Sequence, residues 1–210
     1  MLRKLINLAA VTAILTSCGG QQTTEQTAAP ATETAPPAAS ETPAAATPVS
    51  APFSKEVTYD NIKFQVSSPG SATANSFTVT PSGLSASNNP ITENVQGQVV
   101  DVLANDMDGD NSPEVAVIVE ETPGGKRKAY VYSSFNRKSF GGVHFVDVTD
   151  ASKLAGYQGG DEYEFVENTF IRRFPIYEGG QKTGKTRQFQ FKMKAGEAMK
   201  QLVFDRQSDY

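Results

Sequence analysis

The chain has 210 residues, 19 Lys+Arg against 23 Asp+Glu, 38% hydrophobic residues, one Cys, one His and no Trp. That composition excludes an intrinsically disordered chain and a basic nucleic-acid binder. It also excludes a disulfide scaffold, a multi-thiolate metal site and the imidazole clusters of zinc enzymes, so metal or acid–base chemistry must come from carboxylates and backbone oxygen.

Arg3 and Lys4 precede an eleven-residue, mostly apolar run over residues 5–15, which is too short to span a bilayer. The run Leu15-Thr16-Ser17-Cys18 resembles the lipobox of bacterial lipoproteins. That resemblance implies a signal peptide over residues 1–17, cleavage before Cys18 and acylation of Cys18, with palmitate among its chains, so that the membrane is reached through an N-terminal lipid. Gly19 stands where inner-membrane lipoproteins of many Gram-negative bacteria carry Asp, so the resemblance favours the outer membrane. The periplasmic face is the expected side, although Gly19 does not distinguish it. Residues 19–50 then hold nine Ala, seven Thr and five Pro with no basic residue, a composition unable to form a core. Residues 18–52 therefore read as the lipidated Cys and a tether, either a bare spacer or a Thr-rich glycosylated stalk. As a flexible coil the tether reaches roughly 30 Å, and as a polyproline-like path about 100 Å.

Residues 53–210 read as one domain. From residue 51 onward there are 17 basic and 20 acidic groups, too near balance to steer the domain toward nucleic acid or anionic lipid. Apolar residues recur with period two at Ile62, Phe64 and Val66, at Phe77 and Val79, and at Tyr130 and Tyr132. The same period returns at Phe189, Phe191 and Met193 and at Leu202 and Phe204, all as half-buried strands. Residues 115–119 are apolar throughout, as expected of a central strand covered on both faces. Turn clusters fall at Ser67, Pro69 and Gly70, at Pro123-Gly124-Gly125 and at Gly179-Gly180. The one short helix predicted spans residues 150–154, capped by Thr149 or Asp150. The fold class is all-β, an antiparallel β-sandwich of about eight strands with at most one short helix.

Between two apolar runs, Asp106, Asp108, Asp110 and Glu114 occupy positions 1, 3, 5 and 9 of a turn. Such alternation aims several oxygens at one point, which suits Ca²⁺ as a cofactor. It is not an EF-hand, since position 12 is Val117 and the flanks read as strands. It is closer to the strand-loop-strand calcium turn of FG-GAP propeller repeats, in one copy and with Asn111 where those prefer Gly. The alternative is an acidic hairpin tip whose Asp side chains cap turn amides.

Residues 179–186 read Gly-Gly-Gln-Lys-Thr-Gly-Lys-Thr and satisfy the phosphate-loop pattern letter for letter. That loop needs a helix at its end, whereas the following residues 186–191 alternate as a strand, so the expectation is a Gly-rich hairpin and no nucleotide. His144 has no evident partner for a triad. Asp161, Glu162 and Glu164 read as a solvated strand face rather than a glycosidase acid pair. Of Arg172 and Arg173, one must point inward or to an edge and find an ion partner. No catalytic residue is assigned, and the chain is expected not to be an enzyme.

The second half carries Gly156-Tyr157, Asp161-Glu162, Val166-Glu167-Asn168, Arg172-Arg173-Phe174-Pro175-Ile176-Tyr177, Arg187-Gln188 and Gly196-Glu197-Ala198. With Pro90-Ile91-Thr92-Glu93 and Ser112-Pro113-Glu114, this order is similar to the PliI family of periplasmic inhibitors of invertebrate-type lysozyme, over residues 59–210. The resemblance implies a β-sandwich in the bacterial envelope and a lysozyme-type peptidoglycan hydrolase as partner. In that family a Ser- and Gly-rich loop bearing a Tyr enters the lysozyme cleft. Here the matching stretch is Glu120-Glu121-Thr122-Pro123-Gly124-Gly125-Lys126-Arg127-Lys128, without Ser or Tyr. A chemical argument still assigns partner binding to Thr122, Pro123, Gly124, Gly125, Lys126, Arg127 and Lys128, because cations beyond a Gly-Gly tip complement the two carboxylates of a lysozyme cleft. The alternatives are a solvated charged hairpin that protects a sheet edge, and a calcium-stabilised structural or adhesive envelope module.

Overall fold

Period-two alternation places every second side chain on one face of a strand, so each strand above should bury one stripe. The computed structural model describes residues 51–71, 75–121 and 125–210, all within one compact unit. The signal segment, Cys18 and the tether as far as Ser50 lie outside the described residues.

Among the described residues, thirteen strands form three sheets. The first is an antiparallel meander of β1 (Phe53–Tyr59), β2 (Ile62–Ser68), β3 (Asn75–Ser82) and β4 (Ile91–Val95). The second orders β5 (Gln98–Asn105), β6 (Glu114–Glu120), β7 (Arg127–Phe135) and β8 (Ser139–Gly142) in the same way. The third contains β9 (His144–Phe145), β10 (Glu162–Val166), β11 (Thr169–Glu178), β12 (Gln181–Lys194) and β13 (Gln201–Asp209), in the order β10-β11-β12-β13-β9. Every pairing is antiparallel except the short one between β13 and β9.

The sandwich predicted from periodicity is present, but with thirteen strands among the described residues instead of about eight and one sheet more than two layers require, and β6 explains why. Val115, Val117 and Val119 face one core with Ile62, Phe64, Phe77 and Val79 of the first sheet. Ala116 and Ile118 face a second core with Phe170, Phe174, Phe189 and Phe191 of the third. An unbroken apolar run can be satisfied only by a layer on each side, and the second sheet is that middle layer.

Turns follow their residue chemistry. Gly179 and Gly180 have φ of 56° and 81°, the left-handed pair that joins β11 to β12 in a two-residue hairpin. β12 runs unbroken through Lys185 and Thr186, so no helix begins after the phosphate-loop pattern. Pro175 lies in β11 beyond the last residue paired with β10, beside a register shift, where its missing N–H breaks no ladder to that neighbour. The short helix expected over residues 150–154 is replaced by a turn with one i to i+4 bond, Leu154 N–H to Asp150 C=O at 3.0 Å. The chain leaves that turn through Gly156, φ 79°, to lay Tyr157 along β11 opposite Ile176. A Cβ at Gly156 would stand 2.7 Å from the Tyr177 carbonyl oxygen, so edge pairing prevails over helix propagation.

Candidate functional site

Two polar clusters lie at different places on this frame. The first is the β5–β6 turn, where Gly109 and Asn111 take φ of 72° and 63°. Asp106 accepts the Gly109 and Asn111 amides at 3.0 and 2.9 Å, and Asp110 accepts that of Ser112 at 2.8 Å. Glu114, fully buried, accepts the Met107 amide at 2.9 Å and the Ser133 hydroxyl at 2.7 Å. Capping of turn amides by Asp side chains, the alternative to a calcium turn, is therefore present.

Carboxylate oxygens of Asp106, Asp108 and Glu114 lie within 4.8 Å of one another, so three of the four expected metal ligands converge. A cation from the chain itself stands beside them. Lys200, at the end of the β12–β13 connection, donates to Asp108 at 2.9 Å, Asp110 at 2.7 Å and Glu114 at 3.2 Å. Burial disfavours the charged form of Lys200, but its bonds to Asp110 and Asp108 and the Glu114 charge outweigh this and raise its pKa. Burial raises Glu114 above the usual carboxylate range against the Met107, Ser133 and Lys200 contacts. In Asp110 the Lys200 and Ser112 hydrogen bonds overcome burial and hold the carboxyl low. Lys200 is 86 positions from Glu114 in the chain, and no spacing signal links them.

The second cluster fixes the base of the β6–β7 hairpin. Asp161, expected on a solvated face, is instead fully buried, while Glu162 and Glu164 are exposed. One oxygen of Asp161 accepts Arg172 Nε at 2.7 Å, and the other accepts the Arg127 amide at 3.0 Å and the Tyr157 hydroxyl at 2.6 Å. The inward strand position of Arg172 forces this burial, since a desolvated guanidinium needs a carboxylate. Arg172 also donates to Asp147 at 2.8 Å and stacks 4.8 Å from the Tyr157 ring centroid. Burial, followed by the Asp161 hydrogen bond and charge, pushes the Tyr157 hydroxyl well above its ordinary value. Arg173 points outward to Glu164 and Gln188, completing the expected division of the Arg pair.

The described residues next to the tip are held by the same cluster. Arg127 pairs with Glu120 at 2.9 Å and donates to the Asp161 carbonyl at 3.0 Å, and the Gly160 amide donates to the Gly125 carbonyl at 3.1 Å. Lys128 pairs with Glu121. Lys126 is exposed, with its ammonium 5.7 Å from the Tyr157 ring centroid. Of the seven residues assigned to partner binding, Thr122, Pro123 and Gly124 lie outside the described residues. A polar cleft of about 460 Å³ lies beside Arg127, bordered also by Gly160, Glu162, Arg173, Tyr177 and Lys182. His144 is exposed, and its backbone amide donates to the Lys200 carbonyl at 2.9 Å.

No protein-family model matches the chain, and no curated protein or solved structure matches it.

Proposed function

We propose that this chain is a lipid-anchored, non-catalytic protein of the bacterial envelope whose β domain binds and blocks a lysozyme-type peptidoglycan hydrolase with the tip of the β6–β7 hairpin. The observation that carries this reading is the division of labour among the three tip cations. Arg127 is committed to Glu120 and Asp161 and acts as a positioning residue. Lys128 is neutralised by Glu121, whereas Lys126, exposed with its ammonium 5.7 Å from the Tyr157 ring centroid, has no carboxylate partner among the described residues. The Lys126 backbone is held by the Glu121 amide on its carbonyl, which limits the backbone freedom lost on docking, and its cation complements the paired acids of a glycoside-hydrolysing cleft. The PliI-like residue order and the lipobox-like segment ending at Cys18 support the same compartment and partner class.

The test is titration of the purified protein into lysozymes of several classes while cell-wall hydrolysis is followed. The wild type should inhibit at least one class near stoichiometry. Lys126→Glu should weaken inhibition at least tenfold, about 1.4 kcal/mol. Unchanged hydrolysis with excess wild-type protein in every class would remove the proposal.

A further inference from the structure

We infer that Lys200 is the resident cation of the β5–β6 turn, and that its ammonium does for this domain what a divalent ion does for the acidic strand-loop-strand turns it resembles. The donor count closes. An ammonium has three N–H donors, and here three carboxylate oxygens from Asp108, Asp110 and Glu114 stand at 2.7 to 3.2 Å from it. The oxygens of Asp106 are directed elsewhere, to the Gly109 and Asn111 amides. A hydrated Ca²⁺ takes six to eight oxygens, and the position from which Asp108 and Glu114 could be reached together is held by Nζ of Lys200.

The arrangement also crosses layers. The turn belongs to the middle sheet and Lys200 to the connection entering β13 of the third, so the ammonium ties two sheets on one side of the second core. Its backbone is fixed as well, because the Lys200 carbonyl accepts the His144 amide. Lys200 is only 17% exposed at its side chain and Glu114 not at all, so bulk salt screens the contact weakly. The cation is thus supplied by folding itself, and the domain closes this turn without drawing on dissolved metal.

Thermal unfolding of the full chain in 5 mM EDTA and in 10 mM CaCl₂, for the wild type and Lys200→Met, tests the assignment. The wild type should melt within about 1 °C in the two buffers, because a ligand that does not bind the folded state does not stabilise it. Lys200→Met should melt about 5 °C or more lower in EDTA. Ca²⁺ should restore at least half of that loss, by joining Asp106, Asp108 and Glu114 once the ammonium is gone. A wild type that gains more than about 3 °C from Ca²⁺ overturns the inference. So does a Lys200→Met variant that melts like the wild type, or one that is destabilised and indifferent to Ca²⁺. If Lys200→Met does not fold in EDTA, Lys200→Arg, which keeps the charge, must fold and stay indifferent to Ca²⁺, and a Ca²⁺-dependent Lys200→Arg refutes the assignment.

Discussion

Replacing Asp161 probes the joint between the hairpin tip and the third sheet. The carboxylate is fully buried and accepts three hydrogen bonds, from Arg172 Nε, the Arg127 amide and the Tyr157 hydroxyl. In Asp161→Asn the amide group keeps one acceptor oxygen and brings two donors. Whichever way it is turned, an N–H of the new side chain faces either Arg172 or the Arg127 amide. Arg172 is then left with Asp147, which is 26% exposed and a weaker counterion. Removing one member of a buried ion pair costs about 3–5 kcal/mol, because the other charge stays desolvated. For a domain of this size each kcal/mol moves the melting temperature by about 2–4 °C, so the expected fall is about 6–20 °C. Urea unfolding followed by far-UV circular dichroism supplies the free energy. A second variant isolates the cause: in Asp161→Leu with Arg172→Met both charges leave together, and the loss should fall short of the sum of the single losses by about 0.5–3 kcal/mol. A loss below about 1 kcal/mol for Asp161→Asn would refute the account.

Two further outcomes follow from the layers and from the C-terminal strand. Phe77→Ala in the first core and Phe189→Ala in the second should each cost about 3–5 kcal/mol. Both variants should still unfold in one urea transition seen alike by tyrosine fluorescence and circular dichroism, since β6 belongs to both cores, and two separated transitions would contradict this. Asp209 is bound at both oxygens by Arg187, at 2.8 and 2.7 Å, and that hydrogen bonding holds its pKa below the ordinary 3.8. A depressed carboxyl contributes stability that is complete above its unfolded value and is lost as pH falls through the folded one. Asp209→Asn should therefore flatten the acid limb of the stability curve below pH 3.8, and an unchanged limb in urea titrations would refute the linkage.

Much of the fold was legible because strand burial is a local pattern. Ile62, Phe64 and Val66 announce an inward stripe by spacing alone, and residues 115–119 announce a strand enclosed on both sides. The helix expected at residues 150–154 rests on local capping chemistry, which Gly156 and the part of the β11 edge beyond β10 override through a pairing no local window contains. The inward member of the Arg172 and Arg173 pair follows from alternation, but the identity of its counterion does not. Asp161 lies just before β10, two positions from the buried Tyr163 and so on its inward side, but its charge groups it in sequence with the exposed Glu162 and Glu164. Lys200 is the extreme case. Nothing about a lysine 86 positions from Glu114 marks it as a partner, and only the arrangement of sheets brings the two together.

The enclosure of β6 also ranks the backbone by how readily it meets solvent. An outer strand such as β1 should exchange its amide protons through local fraying, because among the described residues one of its edges has no strand partner and its outward face is exposed. The amides of residues 115–119 have strands on both edges and apolar layers above and below. Deuterium can enter there only when the whole domain opens, so this short stretch serves as a built-in gauge of global unfolding, readable one residue at a time.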